Sequence, residues 1–444
     1  MVLLHFNLHA SQSNPIKLND DEEGQQFSIK LRHQDKAPVL KKFNTEGYED
    51  IQSEEAIPFD PDFYYTFIFD VDDLSKIDIE CELTNTKNET IGTAHFTKPS
   101  LHEEVFGTCC SEITKDGVSI GKILFNYLVL PSKITHDLST CGTNTKSDTI
   151  LDDFHYIGHR GDGSTKLRTL PYLENTISSF IRAHELGASF VELDVQLTKD
   201  HVPVVFHDDF VAVISDKDNR YTVDKVPVKD LTLSEIRNKK VDFARPDAGL
   251  NYDDRFKHLF PTLKELLEET PSTLGLFMEI KYPEPDQGIT DLIPKHIVVD
   301  RILDVMSESK IKQPIMFCSF DPEICIMLKH KQASFPVFFI TNGENCFTSY
   351  NPFEPYDMRT RTRMIAAHFA ICHDLKGISI NSDPLMNSRD DYAKLTAFLK
   401  EHSKMLFSWG SANCDREYAN IQKSVKMAGV ISDRLANLNI TRNA

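Results

Sequence analysis

Phe190-Val191-Glu192-Leu193-Asp194-Val195 is the stretch on which the reading of the chain turns. It is short and apolar, as a buried strand is. Side chains two apart share one face of a strand, so Glu192 and Asp194 project together. Val191, Leu193 and Val195 project the other way. Adjacent carboxylates repel, and at neutral pH both ionise only with a cation between them. Solvated charges on an edge strand would give the same pattern, so the pair needs company before it means a site.

Outward from this run, seven similar ones recur: Phe154–Gly158, Leu274–Ile280, Ile315–Ser319, Val337–Thr341, Gly377–Ile380, Met405–Trp409 and Val430–Ser432. Helical segments lie between them. Ile177, Phe180, Ile181 and His184 share a helix face, and Gly187 ends that segment. Residues 208–261 separate the second and third runs and read as an excursion. Eight strands alternating with helices predict an α/β fold, a (β/α)8 TIM barrel, for which about 250 residues is typical.

The rhythm before the barrel is period two. Phe27, Ile29 and Leu31 form one face, Ile77, Ile79, Cys81 and Leu83 a second, and Ile123, Phe125, Tyr127 and Val129 a third, closed by Pro131. Half-buried antiparallel strands look like this. The expected organisation is a small all-β, sandwich-like N-terminal domain over 1–135, a polar linker over 136–152, and the barrel over 153–444.

Strand ends of a parallel barrel face its active site, and the polar residues gather there. Glu279 and Lys281 share a face of the third run. Glu279 adds a third oxygen ligand, and three carboxylates without a thiolate or imidazole cluster suit a hard divalent cation, Mg2+ or Ca2+. Lys281 is placed to neutralise a phosphate oxygen or to pair with one of these carboxylates. His159 follows the first run and His207 follows Val204-Val205-Phe206. A phosphodiester displacement needs one group to take a proton and another to give one, and histidine suits both. Arg160 offers a planar fork suited to phosphate oxygens. Gly158–Gly163 imitates a phosphate loop but lacks its lysine at 164. Asp216-x-Asp218 starts like a calcium loop without the glycine at its sixth position. Met316, Phe317 and Phe320 read as core.

The net charge of -18 over 444 residues disfavours nucleic acid and anionic lipid as partners. Nine cysteines without paired spacing suit a reduced, cytoplasmic protein. Met1–Ala10 shows no secretory pattern, and no apolar run predicts a transmembrane segment.

Gly158-His159-Arg160-Gly161, Glu174-Asn175-Thr176, Glu192-x-Asp194-Val195-Gln196-Leu197-Thr198-Lys199-Asp200, Pro203-Val204-x-x-His207-Asp208 and Glu279-x-Lys281 together resemble the glycerophosphodiester phosphodiesterase family. Cys318-Ser319-Phe320-Asp321-Pro322, Phe407-Ser408-Trp409-Gly410, Gly429-Val430-Ile431-Ser432-Asp433-Arg434 and the insertion Asp162–Leu173 resemble its cytosolic glycerophosphocholine branch. The resemblance implies a TIM barrel that hydrolyses glycerophosphodiesters to glycerol 3-phosphate and an alcohol such as choline. It implies Glu192, Asp194 and Glu279 as metal ligands, His159 and His207 as the acid/base pair, Arg160 as a phosphate contact, and Trp409 as an aromatic near the substrate. Larger members of the branch resemble a starch-binding module fused to the barrel. The one tryptophan here lies in the barrel, so starch binding is not expected. The N-terminal domain is expected to be a scaffold, with lipid or protein contact as the alternative and its partner unknown. Two rival functions are a phospholipase C- or lysophospholipase D-like activity, and a non-catalytic phosphoester- or partner-binding regulator.

Overall fold

Eight short runs of apolar residues can bury both faces at once by pairing edge to edge into a closed ring, and this chain does so. Its architecture comes from a computed structural model, which describes residues 2–10, 14–19, 26–51, 54–101, 105–141, 153–163, 172–217, 220–238, 259–283, 288–309, 311–343, 357–385 and 388–440. Residues 142–152 of the expected linker, 164–171 of the insertion, and Asp218 lie outside them.

The barrel strands are His155–Gly158, Phe190–Leu197, Gly275–Ile280, Ile315–Ser319, Val337–Thr341, Gly377–Asn381, Met405–Trp409 and Gly429–Ser432. Each pairs in parallel with the next, and the first pairs with both the second and the eighth. The ring is thus closed and has no free parallel edge. The second strand is buried along its whole length, so Val191, Leu193 and Val195 face the surrounding helices. The interior is filled by Ile157, Phe190, Phe277, Met316, Cys318, Phe338, Ile340, Phe407 and Ile431. The rings of Phe277, Phe338 and Phe407 meet with centroids 5.2, 5.3 and 5.5 Å apart. Burying each such side chain contributes roughly 1.5–3 kcal/mol.

The helix Ile177–Glu185 starts where Thr176 accepts a hydrogen bond from Ser179 N. Gly187, at φ +99°, turns the chain out of it. The excursion after the second strand holds an antiparallel hairpin, Phe210–Lys217 with Arg220–Pro227. Val204, Val211, Val228, Leu231, Ile236 and Phe260 give that region its own small core. Residues 136–141, expected as linker, are packed. His136 N donates to Lys331 O, Leu138 is buried, and Cys141 Sγ donates to Met306 O.

The N-terminal unit groups Met1–Thr135 with Asn351–Asp374. Its antiparallel strands enclose Phe6, Phe96 and Phe125, whose rings lie 4.7–5.3 Å apart. The expected faces of Phe27–His33 and Asp78–Asn85 are buried. In Val118–Pro131 the expected alternation breaks: Tyr127 and Leu128 are both buried, then Leu130, while Val129 is half-buried. The second face of this sheet is covered as well, which a one-sided pattern does not anticipate. Helix Arg363–Cys372 packs on strand Val39–Phe43. Phe43 meets Phe369, Lys41 Nζ donates to Cys372 O at 2.6 Å, and the Arg359 guanidinium lies 4.9 Å from the Tyr64 ring centre. The eight described cysteines are free. No helix among the described residues is long and apolar enough to cross a membrane.

A Cβ on Gly377 would lie 2.0 Å from the main-chain oxygen of Met405 in the neighbouring barrel strand. Main chain cannot rotate away, so Gly377→Ala is expected to destabilise the protein by about 1–3 kcal/mol. The midpoint of urea unfolding would read this, and an unchanged midpoint would contradict the packing.

Candidate active site

The first barrel strand ends at Gly158 and the chain turns back sharply. Arg160 and Gly161 are both left-handed, at φ +55° and +86°. A Cβ on Gly161 would fall 2.4 Å from Ser179 Oγ, so this turn needs glycine. Ser179 Oγ donates to Arg160 O, and Asp162 N donates to Ser179 O, tying the turn to the first helix. The turn aims Arg160 N at Glu192, to which it donates at 2.9 Å. The Arg160 guanidinium donates to Glu174 at 2.7 Å and stands 3.5 Å from Asp194.

Register brings the carboxylates together. Asp194 is paired with Glu279 across the second and third strands, and Glu192 lies two residues before Asp194 on the same face. One oxygen of each of the three lies within 4.8 Å of the others, and all three residues are buried. Burial and the neighbouring Asp194 charge push the Glu192 carboxyl up to about 8. Burial likewise raises Glu279, against the pull of Lys281 Nζ at 3.1 Å. Asp194 goes the other way. Its burial is outweighed by His207, Arg160, Lys281 and a 2.8 Å hydrogen bond from Asn175 Nδ2, which hold it below the ordinary value. Glu192 Oε1 and Asp194 Oδ1 are buried without a hydrogen-bond partner among the described residues. Converging carboxylates with orphaned oxygens fit a hard divalent cation.

Two imidazoles flank this cluster. His159 Nδ1 hydrogen-bonds to Asp433 Oδ1, and its Nε2 is 3.9 Å from Glu192. His207 Nδ1 hydrogen-bonds to Asp208 Oδ1 at 2.6 Å. Their side chains are 28% and 30% exposed, so both can reach a ligand from solvent. Burial and Arg160 depress His159, but Asp433 and Glu192 outweigh them and its pKa is raised. His207 is pulled well below the ordinary value by burial, Arg160 and Lys281.

The structure thus brings His159, Arg160, Glu192, Asp194, His207, Glu279 and Lys281 into one cluster. Trp409 sits on the seventh strand, outside their direct contacts, edge-on to Phe320 at 5.8 Å. Four partners had no assigned role in the sequence reading: Glu174, Asn175, Asp208 and Asp433. Asn175, at φ +56°, both donates to Asp194 and accepts from its main-chain N–H. The segments Glu174-Asn175-Thr176 and Ser432-Asp433-Arg434 stood out by resemblance. Nothing in their spacing says that they hold Arg160 and His159.

Residues 159–437 match the model of the Glycerophosphoryl diester phosphodiesterase family. Glycerophosphocholine phosphodiesterase of Homo sapiens is 30% identical over 342 residues, covering 71% of this chain and 49% of its own length. That of Candida albicans is 30% identical over 370 residues, covering 71% of this chain and 30% of its own. The chain therefore spans about half the length of the first relative and less than a third of the second. A crystal structure of a glycerophosphodiester phosphodiesterase from Thermotoga maritima aligns at 20% identity with a TM-score of 0.41, over 64% of this chain and 96% of that one.

A cation bound only by the folded chain stabilises it by about 2.7 kcal/mol at a hundred times its dissociation constant. Mg2+ or Ca2+ is therefore expected to raise the thermal midpoint, and Glu279→Gln to abolish most of that rise. A wild-type midpoint insensitive to both ions would remove the cation site.

Proposed function

The chain belongs to the glycerophosphoryl diester phosphodiesterase family, and from this premise we propose that it hydrolyses glycerophosphodiesters to glycerol 3-phosphate and an alcohol. Glycerophosphocholine is the proposed substrate and choline the alcohol. The names of the human and Candida albicans relatives support that choice. The observation that carries the reading is the buried three-carboxylate cluster between two carboxylate-held imidazoles.

Glu192, Asp194 and Glu279 would hold a divalent cation, Mg2+ or Ca2+, which neutralises phosphate charge when bound. Arg160 is fixed by Glu174, and Lys281 by Glu279. Both place positive charge beside the cluster, where the phosphate's developing negative charge is stabilised by groups already oriented. Trp409 and Phe320 offer an aromatic wall to the substrate's carbon skeleton. Asp433 and Asp208 occupy Nδ1 of the two histidines, which leaves each Nε2 as the working nitrogen. One imidazole takes the proton of the nucleophile as its oxygen bonds to phosphorus. The other gives a proton to the alcohol oxygen as the P–O bond to the headgroup breaks. The nucleophile is water, or the glycerol 2-hydroxyl with a cyclic phosphate that water then opens. Trapping of the cyclic ester separates these routes.

Choline release from glycerophosphocholine is expected to stop in excess chelator and return with Mg2+ or Ca2+. His207→Ala is expected to lower kcat by about 10²- to 10⁴-fold, and Glu192→Gln to bring turnover near background. Full activity in chelator would sink the metal assignment, and an active His207→Ala would sink the acid/base pair.

A further inference from the structure

The barrel mouth has two unlike halves. The first three strands carry the charged cluster. The fifth, sixth and seventh carry no charge on the inner face but do carry buried polar atoms with nothing to bind. Ile340 and Phe407 face the barrel interior. Two residues further on, the same alternation places Asn342 and Trp409 at the mouth. Asn381 lies between them: it is the register partner of Trp409, and Thr341 pairs with Ile380 one step before. These three residues thus stand side by side, about 4.8 Å apart per strand.

Asn342 is 1% exposed, and neither its Oδ1 nor its Nδ2 has a partner among the described residues. The indole Nε1 of Trp409 is buried and unpartnered as well. One step deeper, Ser379 Oγ is in the same state between Ile340 and Phe407, its register partners. Buried polar groups are nearly always satisfied, and a site with two donors and an acceptor left over points to a ligand that supplies the complement.

The chemistry selects which part of a substrate this is. A phosphate would seek the cationic half of the mouth. A quaternary ammonium neither donates nor accepts a hydrogen bond, so it leaves the Asn342 amide unmatched. A hydroxyl does both. We propose that Asn342 and the Trp409 Nε1–H bind the hydroxyl groups of the glycerol half of the substrate, with Phe320 against its carbons. Glycerol is common to every glycerophosphodiester, so this half of the mouth sets selectivity for the class, and the headgroup faces elsewhere. The inference rests on the hydrolase reading above.

The test compares two ligands that share a phosphate and differ in hydroxyls: sn-glycerol 3-phosphate and propyl phosphate. Their affinities for the full chain in Mg2+ would be measured by calorimetry, without turnover. Wild type is expected to prefer glycerol 3-phosphate by about tenfold or more, since a buried group left unpaired by the wrong ligand is costly. Asn342→Leu is expected to bring the ratio close to one by weakening glycerol 3-phosphate alone. Trp409→Phe keeps the ring, removes the N–H, and is expected to lower the ratio in part, which covers the case of an unfolded Asn342 variant. A wild-type ratio near one, or a ratio unchanged in both variants, overturns the hydroxyl subsite and leaves the hydrolase reading standing. Failure of wild type to bind either phosphoester overturns both.

Discussion

Three buried carboxylates within 4.8 Å of one another are the constraint on which the rest of the site depends. Like charges in a poorly solvated place repel strongly, and no single neighbour offsets them. The chain spreads the compensation over several elements. Arg160 reaches Glu192 with its main chain and Asp194 with its side chain. Lys281 lies between Glu279 and Asp194, and Asn175 holds Asp194 from the side. Two positive φ values at Arg160 and Asn175 are the backbone cost of aiming these groups. What remains uncompensated, two orphaned oxygens, is what a cation can take up.

Much of this was legible because it is written in period two. Glu192 and Asp194 share a face by parity, and Glu279 follows by the same rule on the next strand. The eight barrel runs fall on the observed strands within a residue or two, since each is a short apolar stretch bounded by turn residues. The partners of the catalytic histidines were not legible. Asp433 reaches His159 only because the eighth strand closes beside the first, 274 residues away, and closure leaves no local mark. The same holds for Asn175, whose role depends on a turn conformation and not on a pattern.

The N-terminal unit shows the opposite failure. Alternation at Phe27–His33 and Asp78–Asn85 correctly marks one buried face. It is silent on the second, because strand Val2–Leu8 is buried on both, including polar His5 and Asn7. The cover comes from Arg363–Cys372, a helix more than two hundred residues later in the chain. A boundary drawn at a composition change cannot see a unit made of two separate segments.

That the first barrel strand pairs with the last has a consequence for how the protein is made. On the ribosome, the chain emerges from its N-terminus. The carboxylates are synthesised early and the strand that supplies Asp433 arrives late. Until then the ring is an open sheet, His159 has no anchor, and the first strand offers a bare edge. The N-terminal sheet also waits, its second face uncovered until Arg363–Cys372 exists. Both units therefore mature at nearly the same moment of synthesis, and a nascent chain is an exposed and idle one for most of its length.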